Sequence, residues 1–178
     1  MLLRDALPSD AAALADCGTR AFIAAFAHLY KPEDLSRFLA DKHAPGPVAG
    51  EIADPAMLIR LAIAEAGDAL PAGSVLGFAK LVRTSGLPRH TPAQRPIELK
   101  QLYCSPDAIG LGVGARLMDW AMERAAAEGA DWVELSVWSE NFGAQRFYRR
   151  YGFDKVADID FWVGEQRDEE FLFARPLG

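Results

Sequence analysis

Three glycines at alternate positions, Gly110, Gly112 and Gly114, lie between an apolar run and a helical pattern. Glycine lets a backbone approach a ligand closely. The first N–H groups of a helix have no partner within it, and the helix dipole adds positive potential there. A glycine-rich entry to a helix therefore suits a phosphate or a pyrophosphate. Further on, Asn141-Phe142-Gly143-Ala144-Gln145-Arg146-Phe147-Tyr148 leads to Tyr151-Gly152-Phe153 and sets a phenol near the end of a short helix. A phosphate cradle followed by a positioned tyrosine suggests group transfer from a nucleotide-linked carrier.

Two common nucleotide motifs are excluded. A P-loop needs Lys-Ser or Lys-Thr after its last glycine, and here Ala115-Arg116 follow. A dinucleotide fingerprint spaces its glycines G-x-G-x-x-G in an opening βαβ unit, whereas this G-x-G-x-G comes late in the chain. Each residue also has a plain structural role. Glycines open many helices, spacing alone makes Tyr148 a core aromatic beside Phe147 and Phe153, and Asn141 is a natural helix N-cap.

The elements that must position these groups follow from local pattern. Leu2 to Leu7 reads as a first strand. Pro8-Ser9-Asp10 starts a helix with Ser9 as its N-cap, followed by Leu14, Cys17, Ala21, Ile23, Ala25 and Phe26 at mostly helical spacing. Glu33 to His43 is a second helix, broken by Pro45-Gly46-Pro47, and Glu51 to Ala56 is a short helix or a loop. Met57 to Ala66 and Val75 to Arg83 form a hairpin. Thr84 to Pro96 is a polar, proline-rich loop, long enough for a flap on the substrate side or an excursion without consequence. Ile97 to Cys104 is a strand, Gly112 to Glu128 a helix with Gly129 beyond its end, Asp131 to Trp138 a buried strand, and Asn141 to Arg150 a short helix. Phe153 to Val163 and Glu170 to Arg175 close the chain as a hairpin. Strands and helices are mixed, so the fold class is α+β with a largely antiparallel sheet in an α/β/α layering.

The chain has 178 residues, 51% hydrophobic and 25% charged, and carries a net charge of −6. One domain spanning residues 1–178 is the simplest organisation at that length. The acidic balance argues against a nucleic-acid surface. No apolar run is long enough to cross a bilayer, and histidine and cysteine do not cluster at metal-ligand spacing, so neither a membrane nor a metal is expected. Two cysteines without a secretory opening suggest free thiols and a cytoplasmic protein.

The strand, glycine loop and long helix from Ile97 onward resemble motif A of the GNAT superfamily of N-acetyltransferases. Asn141, Ala144, Phe147, Tyr148 and Gly152-Phe153 resemble its Asn-x-x-Ala-x-x-Phe-Tyr-x-x-x-Gly-Phe motif B. The close resemblance spans Ile97 to Phe153. It implies about seven strands with four main helices, and a V-shaped cleft between two central strands that holds acetyl-CoA. It assigns main-chain groups of Leu102, Tyr103 and Cys104 to the pantetheine and thioester. The amides of Ile109, Gly110, Leu111, Gly112, Val113, Gly114 and Ala115 would hold the pyrophosphate, with Asn141, Ala144 and Phe147 as further cofactor contacts. Ile109 departs from the pattern, which usually has Arg or Gln there; the missing contact would come from elsewhere, with Arg116 as a candidate.

The implied reaction is direct attack of an amine of a small molecule or peptide on the thioester. Tyr148 would protonate the departing thiolate, and Glu98 would act as base for the amine. An exposed strand-end carboxylate is the plain alternative for Glu98. Phe22, Phe26 and Tyr30 line the acceptor side or belong to the core. A non-catalytic acyl-CoA-binding regulatory module is the alternative function, and a homodimer through the C-terminal strands is a possible assembly.

Overall fold

The computed structural model describes residues 1–178. Seven strands, β1 (Leu2–Asp5), β2 (Met57–Ile63), β3 (Val75–Val82), β4 (Pro96–Cys104), β5 (Trp132–Trp138), β6 (Asp154–Val163) and β7 (Gln166–Pro176), form one sheet. Their spatial order is β1-β2-β3-β4-β5-β7-β6. Every pairing is antiparallel except β4 with β5. The mixed, mostly antiparallel sheet expected from the sequence is therefore present.

Alternation along the strands divides the interior in two, because successive side chains point to opposite faces. Phe78 joins Leu14, Cys17, Val48 and Leu61 beneath α1 (Ala11–Phe26) and α3 (Pro45–Ala53). The next residue, Ala79, joins Leu81, Leu99, Val133 and Leu135 beneath α4 (Val113–Ala127), which contributes Leu117, Met118 and Ala121. Tyr148 of α5 (Phe142–Arg150) belongs to the second group, and α2 (Pro32–Lys42) covers part of β6.

Three local expectations change. Pro45-Gly46-Pro47 follows the end of α2 at Lys42, as expected, but it also opens α3, where the sequence implies only a short helix or loop from Glu51. Both prolines fall in its first turn, where N–H groups are unused, and Val48 N–H makes the first bond, to the Ala44 carbonyl at 3.1 Å. Ser9 is not an N-cap: Pro8–Asp10 is a 3₁₀ turn, and Asp10 does the local bonding. Its carboxylate accepts from Leu7 N–H at 2.7 Å and from both terminal nitrogens of Arg4. The Thr84–Pro96 loop is not a flap over an open cleft. Its N–H groups at Gln94 and Arg95 bind the Asp131 carboxylate, Gly86 N–H binds Glu98, and Thr91 Oγ1 donates to Glu134. It walls a cavity of about 390 Å³ with Arg83, Glu128 and Glu134 at the N-terminal ends of β4 and β5.

The feature that shapes the site is where β4 and β5 stop pairing. They are in register only from Pro96–Trp132 to Glu98–Glu134. Beyond Glu98, β4 stays with β3 up to Cys104, and β5 stays with β7 up to Trp138. Lys100 is an extra residue at that point, since Leu81 opposes Leu99 while Lys80 opposes Gln101. Such a bulge bends a strand. The result is a V that opens toward the C-terminal ends of both strands.

Under α3 the sheet carries a buried ion pair. Lys80 is 1% exposed and its Nζ contacts Glu51, with Lys100 3.8 Å from the same carboxylate. Burial lowers the Lys80 pKa, and Glu51 opposes that shift. Glu51→Ala should cost about 3 kcal/mol by leaving the ammonium buried and alone, and adding Lys80→Met should recover most of it. Urea denaturation of the single and double variants checks this; equal stabilities would show that the pair does not act as a unit.

Candidate active site

At the mouth of the V, the chain leaves β4, makes a 3₁₀ turn over Pro106–Ala108 and enters α4 through the glycines. Gly110 and Gly112 have φ of +85° and +75°, in the left-handed region that glycine adopts readily. A Cβ on either would meet nothing within 4 Å, so open space lies above the loop. The first helical bond of α4 is Arg116 N–H to the Gly112 carbonyl at 3.2 Å. Ile109 and Leu111 N–H turn inward, to Pro106 and Ala108 carbonyls at 3.5 and 3.3 Å. The free donors are therefore Gly110, Gly112, Val113, Gly114 and Ala115, five of the seven amides the motif suggested. A row of free N–H groups at a helix start, under open space, fits a diphosphate.

Side chains brace this cradle from below. Val113 is 1% exposed and lies against Gly77, whose missing Cβ makes room for it at 3.0 Å. Gly114 lies beside the Cys104 sulfur and the Phe147 ring. Ile109 is 74% exposed and Leu111 also faces solvent, so neither brings charge to the loop. Arg116 does not compensate: it donates to the Met1 carbonyl at 3.0 Å. Arg20 reaches the loop from α1 but is paired with Asp107. Arg150 lies over the Phe147 ring at 5.7 Å.

Helix α5 is fastened at both ends. Asn141 Oδ1 accepts from Ala144 N–H at 3.0 Å, the N-cap expected from the sequence. Gln145, 4% exposed, donates to the Trp138 and Ser139 carbonyls and ties α5 to the end of β5. Tyr151 donates from its hydroxyl to the Ala115 carbonyl and Asp119, linking α5 to the first turn of α4. Neither Gln145 nor Tyr151 stands out in sequence, because their roles depend on which elements become neighbours.

Tyr148 takes the core position that its spacing implies, with its ring in the cluster beneath α4. Its ring packs edge-on against Phe147 and Phe153. Burial raises the pKa of its hydroxyl, and the nearby Cys104 and Glu170 raise it further, so it stays protonated at neutral pH. Burial also raises the Cys104 thiol, which suits an inert side chain better than a nucleophile.

Glu98 is placed differently from expectation. It is the last residue of β4 still paired with β5, and its carboxylate accepts from Gly86 N–H at 2.9 Å. At about 3.3 Å per residue, it lies roughly 13 Å along the strand from Leu102. The structure counts against Glu98 as a base in direct contact with an amine at Leu102–Cys104: it anchors the neighbouring loop at the closed end.

The other carboxylates come from the last strand. Glu170 of β7 opposes Trp138, and Asp168 lies two residues earlier on the same face. Tyr30, beyond α1, donates its hydroxyl to Asp168 and fastens that segment to β7. Burial pushes the Glu170 carboxyl above the usual range, Asp168 adds to this, and the Ser136 hydroxyl opposes it. Phe26 and His28 meet the Trp138 ring edge-on, each at 6.1 Å between centroids. Of the first-helix aromatics, Phe22 is core, 4% exposed against Phe38 and His43, while Phe26 and Tyr30 are half-buried beside the V. Glu170 escaped the sequence analysis because it sits in a run of charges, Asp168-Glu169-Glu170, that reads as a solvated strand edge.

No group of histidine, cysteine, aspartate and glutamate side chains is arranged to hold a metal ion. No helix is long and apolar enough to cross a membrane.

Comparison with known proteins agrees with this architecture. An N-acetyltransferase of Lactobacillus delbrueckii subsp. lactis, itself uncharacterized, is 25% identical over 146 residues, 82% of this chain and 80% of that protein. The PaiA N-acetyltransferase of Thermoplasma acidophilum, crystallised with coenzyme A, superposes with a TM-score of 0.76 at 19% identity, over 99% and 98% of the two chains. A GCN5-related N-acetyltransferase of Rhodopseudomonas palustris superposes at 0.72 with 20% identity, over 99% and 95%. The model of the acetyltransferase (GNAT) family matches residues 21–153, which hold the split strands, the glycine cradle and all of α5, and the chain belongs to that family.

Proposed function

We propose that the chain transfers the acetyl group of acetyl-CoA to a primary amine of a small molecule or peptide, by direct attack of the amine on the thioester. The observation that carries this is the parting of β4 from β5 beside five free amide N–H groups at the head of α4. The diphosphate would rest on Gly110, Gly112, Val113, Gly114 and Ala115. The pantetheine would run along the edge of β4 that β5 has left, with the thioester at Leu102–Cys104. The Thermoplasma neighbour with coenzyme A bound supports the choice of carrier.

The placement of the residues supports a part for each in this reaction. Holding amine and thioester together in one cleft removes much of the entropic barrier to their reaction. A main-chain N–H of the 102–104 segment would receive the negative charge that develops on the carbonyl oxygen, already oriented. The Tyr148 hydroxyl, protonated and close to Cys104, would give its proton to sulfur as the C–S bond breaks. Glu98 could reach the amine only through a chain of waters. Phe147 lies against Gly114 of the cradle and Asn141 caps α5 through Ala144 N–H, which supports Tyr148 in position. These three residues would also contact the cofactor.

The test is release of coenzyme A thiol with a panel of primary amines. Binding of coenzyme A without thiol release from any amine would favour a non-catalytic acyl-CoA module. Tyr148→Phe keeps the ring packing and should lower kcat about 100-fold while leaving coenzyme A affinity within about twofold. An unchanged kcat would remove Tyr148 from the chemistry. Gly112→Ala forces a Cβ into left-handed backbone and should rotate the adjacent amides, raising the Kd for coenzyme A about tenfold in calorimetry. Unaltered affinity would mean that the cradle does not hold the diphosphate.

A further inference from the structure

The geometry points to Glu170 as a catalytic residue of the transfer, the carboxylate that binds the ammonium form of the acceptor and takes its proton before attack. The inference rests on the acetyl-transfer reading and extends it, naming both the group and the charge with which the substrate arrives.

Glu170 opposes Trp138, the last residue of β5, so it lies at the open end of the V, where Glu98 does not. Directly opposed residues share a face, and the Trp138 ring meets Phe26 and His28 on the α1 side. The neighbouring pair, Val137 and Phe171, turns the other way into the core beneath α4. Glu170 is close enough to raise the pKa of three hydroxyls, those of Tyr148 from α5, Tyr103 from β4 and Tyr30 beyond α1. The three come from separate parts of the chain, and one of them is the proposed acid.

What Glu170 lacks is a cation. It takes part in none of the chain's ion pairs. Its companion Asp168 accepts from Tyr30 and Gln166, whereas Glu170 is half-buried with no such partner, and only the nearby Ser136 hydroxyl opposes the rise of its pKa. A carboxylate withdrawn from water without a cationic partner is costly, and an incoming ammonium would be that partner. The aromatic faces of Trp138 and Phe26 also suit a cation. Two further polar atoms on this face are buried without protein partners, Oε1 of Gln101 and Nε2 of His43. Gln101 precedes Tyr103 by two positions on β4, and His43 stacks on the Tyr103 ring. They fit water or a polar group carried by the acceptor.

The step balances. The ammonium gives one proton to Glu170, which passes it to water. The free amine attacks the thioester carbon, the C–N bond forms and the C–S bond breaks. Sulfur takes the Tyr148 proton, and the second proton of the amine restores Tyr148. The products are the amide, coenzyme A thiol and one released proton.

The groups facing Glu170 are Asp168 on its own strand, Ser136 on β5, Tyr103, Tyr148 and Tyr30, with His28 beyond Trp138. Because the folded protein raises the Glu170 pKa, kcat/KM should climb through an acid limb above the ordinary carboxylate range. The experiment compares 2-phenylethylamine, protonated at neutral pH, with 4-methylaniline, which arrives neutral. Glu170→Gln should lower kcat/KM about 100-fold for the first amine and less than about tenfold for the second, and should abolish the acid limb. Ser136→Ala removes the interaction that lowers this pKa and should move the limb to higher pH, which keeps the test open should Glu170→Gln fold poorly. Independently of turnover, 2-phenylethylamine should raise the Tm of the wild-type coenzyme A complex but not that of the variant. Equal losses with both amines, an acid limb that survives Glu170→Gln, or no stabilisation of the wild-type complex by 2-phenylethylamine would overturn the role. Failure of coenzyme A itself to stabilise the protein would instead overturn the acetyl-transfer reading beneath it.

Discussion

The site depends on a ladder that stops after three pairs. Two parallel strands at the centre of a sheet normally stay paired, since an unpaired main-chain group inside a protein is expensive. Here β4 and β5 part after Glu98, and each keeps its other neighbour. Half of the main-chain groups on β4 from Leu99 onward therefore face a cleft instead of a strand. The Lys100 bulge bends β4 at the point of departure, and the loop anchored on Glu98, Glu134 and Asp131 holds the strands together below it. A hinge closed at one end and pried open at the other is a stable way to keep backbone donors and acceptors available to an extended ligand.

Everything around the cleft maintains that opening. Helix α4 begins where β4 ends, so its free N–H groups stand at the mouth. Helix α5 begins where β5 ends, and Gln145 fixes it to the last carbonyls there. Tyr151 then joins the two helices through the Ala115 carbonyl. The cradle and the tyrosine come from different strands and are held at a fixed separation by these contacts. The close approach needed at Gly77, where a Cβ would lie 2.6 Å from the Tyr103 carbonyl, brings Val113 and the loop down onto the sheet.

The sequence made the cradle and α5 legible because both are local. Glycines at 110 and 112 are required by positive φ within a single turn, and Asn141 caps its own helix three residues on. The sheet was legible by alternation, which separates Phe78 from Ala79 without knowledge of any partner. The rest was hidden by tertiary geometry. Pro45 and Pro47 read as a break, which they are for α2, but the pair does not reveal that it also occupies the first turn of the next helix. Glu98 looked like a base from its place on the strand, but only the register with Glu134 shows which end of the cleft it holds. Arg116 looked available to the loop, yet on the helix it faces Met1. Glu170 looked like surface because its environment is assembled from β5, α5, β4 and the segment after α1, each distant in sequence.

Two charges on the α1 side of the sheet, Lys80 and Glu170, stand in opposite situations. Lys80 is nearly inaccessible and has its counter-ion built in, Glu51, so its charge is settled when the chain folds. Such a pair positions α3 over β3 and offers nothing to a ligand. Glu170 is half-buried, with its pKa raised by burial, and has no built-in cation. Its cost in the free protein is limited by the Ser136 hydroxyl and by its ability to take up a proton as its pKa rises. Both properties matter to an acceptor. The unmet charge favours a cationic amine over a neutral one at entry, and the raised pKa lets the same carboxyl accept the proton that must leave before nitrogen can attack.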